Sequence, residues 1–127
     1  MIGDSFEIVS CDERGYMIKC VINNKTIFLV FTKKGYCRGG DIHPINQYNT
    51  VLNGRIMFKL NLISGEVVHH IKVNQTLEVP KDTAHLMVAL EDSIVIEWHD
   101  GELPPFKEKI IYEPYRQLIK KKYLDVE

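Results

Sequence analysis

Turn residues cut this chain into pieces too short for much besides β-structure. Asn23-Asn24, Lys34-Gly35, Gly39-Gly40, Asn53-Gly54, Ser64-Gly65 and Glu91-Asp92 each tolerate positive φ or open a tight turn. Between and around them lie short runs rich in β-branched and aromatic residues: Tyr16 to Ile22, Thr26 to Thr32, Tyr48 to Leu52, Arg55 to Leu62, Glu66 to Val73, Thr76 to Val79, His85 to Leu90 and Ser93 to Trp98. This rhythm predicts an all-β domain. Asn53-Gly54, set between two apolar runs, is the strongest hairpin signal. In Arg55 to Leu62, the residues Ile56, Phe58, Leu60 and Leu62 share one face and Lys59 and Asn61 the other, so one face of the sheet is expected to be buried. The pattern changes only at the end, where Pro114 opens a predicted helix over Tyr115 to Tyr123. Leu118 and Ile119 lie on one side of it and Lys120, Lys121 and Lys122 on the other.

So many short strands must close on themselves or stack as two sheets, because exposed edges invite aggregation. A barrel or jelly roll is expected, its interior either packed or used as a pocket. With 127 residues, 45% of them hydrophobic, the chain has the material for one core. The expected organisation is a single domain, with a barrel core over about residues 15–100 and a C-terminal extension over about 104–127. Sixteen Lys and Arg against 17 Asp and Glu leave a net charge of -1, which gives no field to draw the protein onto nucleic acid or an anionic membrane. No window approaches the ~20 apolar residues of a membrane span, and the opening residues carry no basic-then-apolar leader. Cys11, Cys20 and Cys37 are odd in number and lack Cys-x-x-Cys spacing, which suits plain thiols in a reducing compartment. A cytoplasmic location is the expectation, with a small molecule as partner.

Inward-pointing polar residues then carry the functional argument. In Arg38-Gly39-Gly40-Asp41-Ile42-His43, Asp41 and His43 are two apart and share a face if the segment is extended. Gln47 follows, then Asn49 on the same face. Much further on, Pro80-Lys81-Asp82-Thr83-Ala84-His85 places a second His at the start of a strand, so that only tertiary folding can join it to His43.

These two segments resemble the motifs of the cupin superfamily: a Gly, paired His, an acid or amide and a hairpin Gly, and later Pro, four residues, His. Here they read Gly40-Asp41-Ile42-His43, Gln47 and Gly54, then Pro80 to His85. The resemblance covers about Gly35 to Trp98 and implies a cupin-type jelly-roll β-barrel, here with a short C-terminal helix. Within cupins the chain looks most like the nucleotide-sugar 3,4-ketoisomerases and polysaccharide-biosynthesis cupins, which move a keto group along a deoxysugar through an enediol with His as acid and base. The likeness implies His43 as the second His of the pair, Gln47 as the amide and Arg38 as the arginine. Asp41 stands where that family has its first His, and the segment from His43 to Gln47 is one residue shorter. The tail Tyr112-Glu113-Pro114-Tyr115-Arg116 is similar to aromatic, basic ends of small sugar-biosynthesis cupins.

Three readings stand. In the first, the chain is an isomerase or epimerase acting on a nucleotide-linked or other sugar, with His43 and Asp41 catalytic and Arg38, Gln47 and Asn49 binding substrate. In the second, Asp41, His43, Gln47 and His85 hold a divalent transition metal, Fe, Mn, Ni or Zn, in a dioxygenase-like or other metal-dependent cupin. In the third, the chain is a ligand-binding module without turnover, its polar groups bonded to one another. His69 and His70 are adjacent on a strand, face opposite ways and read as surface residues. On Val95 to His99, Ile96 and Trp98 share one face and Glu97 and His99 the other; if the apolar pair faces the core, Glu97 points at solvent or at the lumen. A homodimer through the edge of an N-terminal strand is expected.

Overall fold

The computed structural model describes residues 3–103, 109–119 and 121–122. Twelve strands and one short helix follow in order: β1 (Ser5–Asp12), β2 (Gly15–Ile22), β3 (Lys25–Thr32), β4 (Cys37–Gly39), β5 (Asp41–Ile42), β6 (Gln47–Asn53), β7 (Arg55–Leu62), β8 (Gly65–Lys72), β9 (Thr76–Val79), β10 (Ala84–Ala89), β11 (Ser93–His99), β12 (Ile110–Ile111) and α1 (Glu113–Arg116). The expected strands all form, within one or two residues of their predicted ends. Four elements lie outside the predicted runs: β1, which precedes the first of them, and β4, β5 and β12, which are two or three residues long and too short to show a period.

Every pairing is antiparallel. One sheet has the order β1-β2-β3-β11-β6-β9, the other β4-β10-β7-β8, and β12 pairs with β5 to one side. The chain passes repeatedly between the two large sheets, which gives the jelly roll.

That topology corrects the reading of Asn53-Gly54. It does not close a hairpin: β6 pairs with β11 and β9, whereas β7 pairs with β10 and β8. The turn is a corner that carries the chain from one sheet to the other. An Asn-Gly pair supplies the backbone conformation for a reversal, but which strands then exchange hydrogen bonds is settled by the faces they must bury. The C-terminal helix is also shorter than predicted. It spans only Glu113–Arg116, with Pro114 in its first turn, and continues as turns through Ile119. Lys120 and Tyr123, at the far end of the predicted helix, lie outside the described residues.

Two apolar clusters form on the two faces of the smaller sheet. Inside the barrel, Val30, Val51, Ile56, Phe58, Leu60, Ile71, Val79, Met87 and Val95 pack together. On the other face Cys37, Ala84, Leu86 and Val88 are covered by Tyr115 and Ile119 of the C-terminal segment. β10 is therefore buried along its whole length, with residues of odd number facing the lumen and those of even number facing the C-terminal segment. This explains why Ala84 to Ala89 reads as a continuous apolar run broken only by His85.

Candidate functional site

Strand register brings the two sequence segments together. Across β10 and β7, His85 is opposite Leu60 and Met87 opposite Phe58, so His85 joins the inward-facing row. The loop before it is tied to the loop after β5: Asp82 N–H donates to the His43 carbonyl at 2.7 Å, and Lys81 N–H to Asn46 Oδ1 at 2.8 Å. These bonds set His43 beside His85, ring centroids 5.3 Å apart and tilted by 48°. Both residues are buried.

A third imidazole completes the group. His99, at the end of β11, stands edge-on to His43 with centroids 5.7 Å apart. Its Nε2 lies 3.3 Å from Gln47 Oε1 and 3.3 Å from Glu97 Oε2. The face of β11 is the reverse of the one the apolar pair suggested. Val95, Glu97 and His99 turn inward, opposite Val51, Asn49 and Gln47 of β6, while Ile96 and Trp98 face outward and Trp98 stacks on Tyr48. Glu97 and His99 are thus site residues that the sequence left undecided. The available signal was parity with Val95, a residue apolar enough to claim the core.

Burial dominates the electrostatics. It pushes the pKa of His43 down to about 4, helped by the neighbouring His85 and partly opposed by Asp41. His99 is also pushed to about 4, first by burial and then by the charge of His85, and burial lowers His85 as well. Glu97 moves the other way, raised to about 7 by burial against the pull of Lys109 and Arg38. At neutral pH the cluster therefore holds uncharged imidazoles next to a carboxyl group poised to keep its proton. His43 Nδ1 is buried without a hydrogen-bond partner.

Gln47 and Asn49, successive inward residues of β6, are joined by Gln47 Nε2 donating to Asn49 Oδ1 at 3.1 Å. Arg38 is inward on β4, opposite Met87. It bonds through Nε to Thr32 Oγ1 at 2.8 Å and through Nη2 to the Phe31 carbonyl at 3.0 Å. Among the described residues no carboxylate forms an ion pair with it.

Asp41 is committed elsewhere. Arg116 Nη2 donates to its Oδ1 at 2.8 Å and Lys109 Nζ to its Oδ2 at 3.4 Å. The two glycines before it make room for these neighbours. A Cβ on Gly39 would lie 2.7 Å from the His85 carbonyl oxygen, and one on Gly40 would lie 2.8 Å from Arg116 Cα. Both also have positive φ, 108° and 82°. The Gly-Gly step is the seat of β10 on one side and of the C-terminal segment on the other.

Asp41, the carboxylate of the expected ligand set, is covered by two cations, and among the described residues no three of His, Cys, Asp and Glu come together in a geometry that holds a metal ion. The set Asp41, His43, Gln47 and His85 does not fit one as arranged. His69 and His70 are exposed on β8, away from the cluster. Cys20 and Cys37 are buried and Cys11 is exposed; all are free, and burial raises the Cys37 thiol to about 11, so it is an inert packing group.

No family profile matches the sequence, and no curated protein does. Solved structures do. The capsular polysaccharide assembling protein CapF from Staphylococcus aureus superposes with a TM-score of 0.73 at 15% identity, over 84% of this chain and 32% of that one. Oxalate decarboxylase of Bacillus subtilis gives 0.70 at 13% identity, over 84% and 30%, and hazelnut vicilin 0.64 at 12%, over 72% and 30%. The chain spans about a third of the length of each. These likenesses establish the cupin jelly-roll fold.

Proposed function

We propose that this chain binds a small oxygenated molecule, derived from a sugar, and moves a proton on it as an isomerase or epimerase does. The observation that carries the reading is His43: a buried imidazole, uncharged at neutral pH, with an unpartnered Nδ1 beside two further imidazoles. A neutral imidazole with a free nitrogen is a general base. It takes the proton from the hydroxyl-bearing carbon next to a carbonyl while the carbonyl oxygen gains one, leaving an enediol. When the other hydroxyl gives up its proton and the former carbonyl carbon receives one, the keto group has moved; when a proton instead returns to the original carbon from the opposite side, with the first oxygen deprotonated again, that carbon is inverted. Gln47 and Asn49 offer amides to sugar hydroxyls, and Arg38 anchors an anionic portion. Asp41 acts through the C-terminal segment that it holds. The polysaccharide-assembling role of CapF agrees with a sugar ligand.

No helix is long and apolar enough to cross a membrane among the described residues. We read the protein as cytoplasmic and as a homodimer, the latter from β1, an edge strand whose Phe6, Ile8 and Val9 are exposed.

The test is incorporation of solvent deuterium into nucleotide-linked 4-ketosugars, followed by proton NMR. Native protein exchanges and His43→Ala does not. Absence of exchange from native protein, with and without Fe(II), Mn(II), Ni(II) or Zn(II), ends the isomerase reading. A stoichiometric divalent metal found by elemental analysis of native protein ends the metal-free one and returns Asp41, His43, Gln47 and His85 to the role of ligands.

A further inference from the structure

Next to His85 the barrel retains a cavity of about 30 Å³ whose polar wall is Arg38, Gln47, Asn49, His85 and Glu97. Two of these residues are left wanting. Arg38 is only 7% exposed, yet its bonded acceptors, a threonine hydroxyl and a backbone carbonyl, are both neutral. Asn49 is 1% exposed, and while its Oδ1 accepts from Gln47, its Nδ2 has no partner. A buried guanidinium without an anion and a buried amide without an acceptor both cost stability in the free protein. Both costs fall if an oxyanion enters the cavity. The space is narrow, enough for about two water-sized groups, and suits the two oxygens of a planar carboxylate better than a tetrahedral phosphate or sulfate.

We propose that this cavity is a subsite for the carboxylate of a small acid, held by Arg38 and by Nδ2 of Asn49, with the adjoining carbons of the acid beside His85 and His43. The ligand is then a sugar acid or a related hydroxy or keto acid, rather than a neutral deoxysugar. Glu97 is the acidic residue in the cavity wall, and its burial, which favours the protonated form, lets a second carboxyl group sit close by. The proposal deepens the proton-transfer reading by naming the class of its substrate, and it rests on that reading only for the fate of the carbons.

The experiment is an NMR titration of ¹⁵N-labelled full-length protein with sodium formate and then acetate, at ionic strength held constant with sodium chloride. The readouts are the Arg38 Nε and Asn49 Nδ2 resonances. Formate is expected to shift both saturably, with a Kd on the order of 1 mM, near the ceiling for a ligand of three non-hydrogen atoms. Asn49→Asp, isosteric but with an acceptor and a like charge in place of the donor, weakens binding at least ~10-fold, as loss of a hydrogen bond to a charged group should. Glu97→Gln, compared with native protein at pH 8, where the carboxyl group is mostly ionised, removes that like charge and keeps the shape; it tightens binding several-fold there and keeps the proposal testable should the first variant fail to fold. Resonances that stay in place up to 100 mM formate, or that sulfate moves as formate does, overturn the proposal and leave the cavity to water, as does binding that Asn49→Asp leaves intact. Formate binding without deuterium exchange sinks the isomerase reading alone; exchange on neutral ketosugars without formate binding sinks the subsite alone.

Discussion

The barrel has two interiors built from the same strands. Along β6 and β11 the pair Val51 and Val95 belongs to a dry, apolar level; one step on, Asn49 faces Glu97, and one further, Gln47 faces His99. β10 repeats the change, with Ala89 and Met87 at the apolar end and His85 at the other. The apolar end closes on itself, so its residues need nothing but neighbours of the right size. At the polar end buried nitrogens lack partners, Arg38 has no ion pair among the described residues and three imidazoles crowd together. One end holds the fold, and the other holds groups that a folded protein without a ligand would be better off without.

Truncation at the apolar end separates the two most strongly. Ile56 is fully buried, opposite Ala89 and four pairs along β7 from Leu60, the partner of His85. Ile56→Ala is expected to lower the unfolding free energy by about 2–5 kcal/mol, the loss of burial plus a cavity. The ring resonances of His43, His85 and His99 stay in place. Urea denaturation measures the first and proton-carbon NMR the second; histidine shifts of the size a ligand produces would show that the two ends are one mechanical unit.

The ends differ as much in how they could be read from sequence. The strands of the apolar end were legible because side-chain alternation is local: Ile56, Phe58 and Leu60 announce a buried face without reference to any partner. His43, Gln47, Asn49 and His85 were legible as inward polar residues for the same reason. What local pattern could not supply was pairing. Asn53-Gly54 carries a hairpin signature yet turns a corner, because β6 finds its partner β11 between 41 and 52 residues away. The partners of Asp41 are 68 and 75 residues on, in a segment whose own sequence says only that it is basic and aromatic. Glu97 and His99 needed the knowledge that Val95, not Ile96, takes the core side.

Titration distinguishes the ends next, since few ionisable side chains face the apolar one. His43 and His99 fall from 6.5 to about 4 on folding, and His85 falls too, so between those values the unfolded chain binds more protons. Stability therefore drops as pH falls from 6.5 towards 4. Glu97, raised from 4.5 to about 7, binds its proton more tightly when folded and opposes this slope between those two values. Over the shared window, about pH 4.5–6.5, His43 and His99 should together take up about two protons on unfolding and Glu97 release about one, His85 adding to the uptake, so Glu97→Gln should take up about one proton more than the native protein. Unfolding free energies measured at half-unit steps give these slopes directly. Equal slopes would place Glu97 in contact with solvent.

A smaller effect is expected where the polar end meets the C-terminal segment. The Arg116 and Asp41 side chains are 25% and 11% exposed, so their ion pair is partly screened. Arg116→Gln should cost about 1–2 kcal/mol, less than breaking a fully buried pair, because Lys109 still faces Asp41. Asp41→Asn should cost a similar amount, and the double variant little more than either alone, giving a coupling of about 1 kcal/mol. Additive losses would mean that the segment is held by Tyr115 and Ile119 and that the charges contribute nothing.

The smallest expected change reverses sign, and for that reason tests the comparison most sharply. His43 is buried, Nδ1 has no partner, and among the described residues the ring makes no side-chain hydrogen bond that its replacement would lose. Leucine has nearly the volume of histidine and no polar atom to desolvate. His43→Leu should therefore raise the unfolding free energy at pH 7 by about 1 kcal/mol, the part of the desolvation cost of an unpaired group that is recovered. It should also flatten the pH dependence between 6.5 and 4 by one proton and abolish deuterium exchange. At the apolar end the corresponding step, exchanging a well-packed side chain for one of another character, loses stability without touching function. A loss of stability in His43→Leu would mean that the imidazole contributes to the fold as Ile56 does, and the division of the barrel into a holding end and a working end would fail at its central residue.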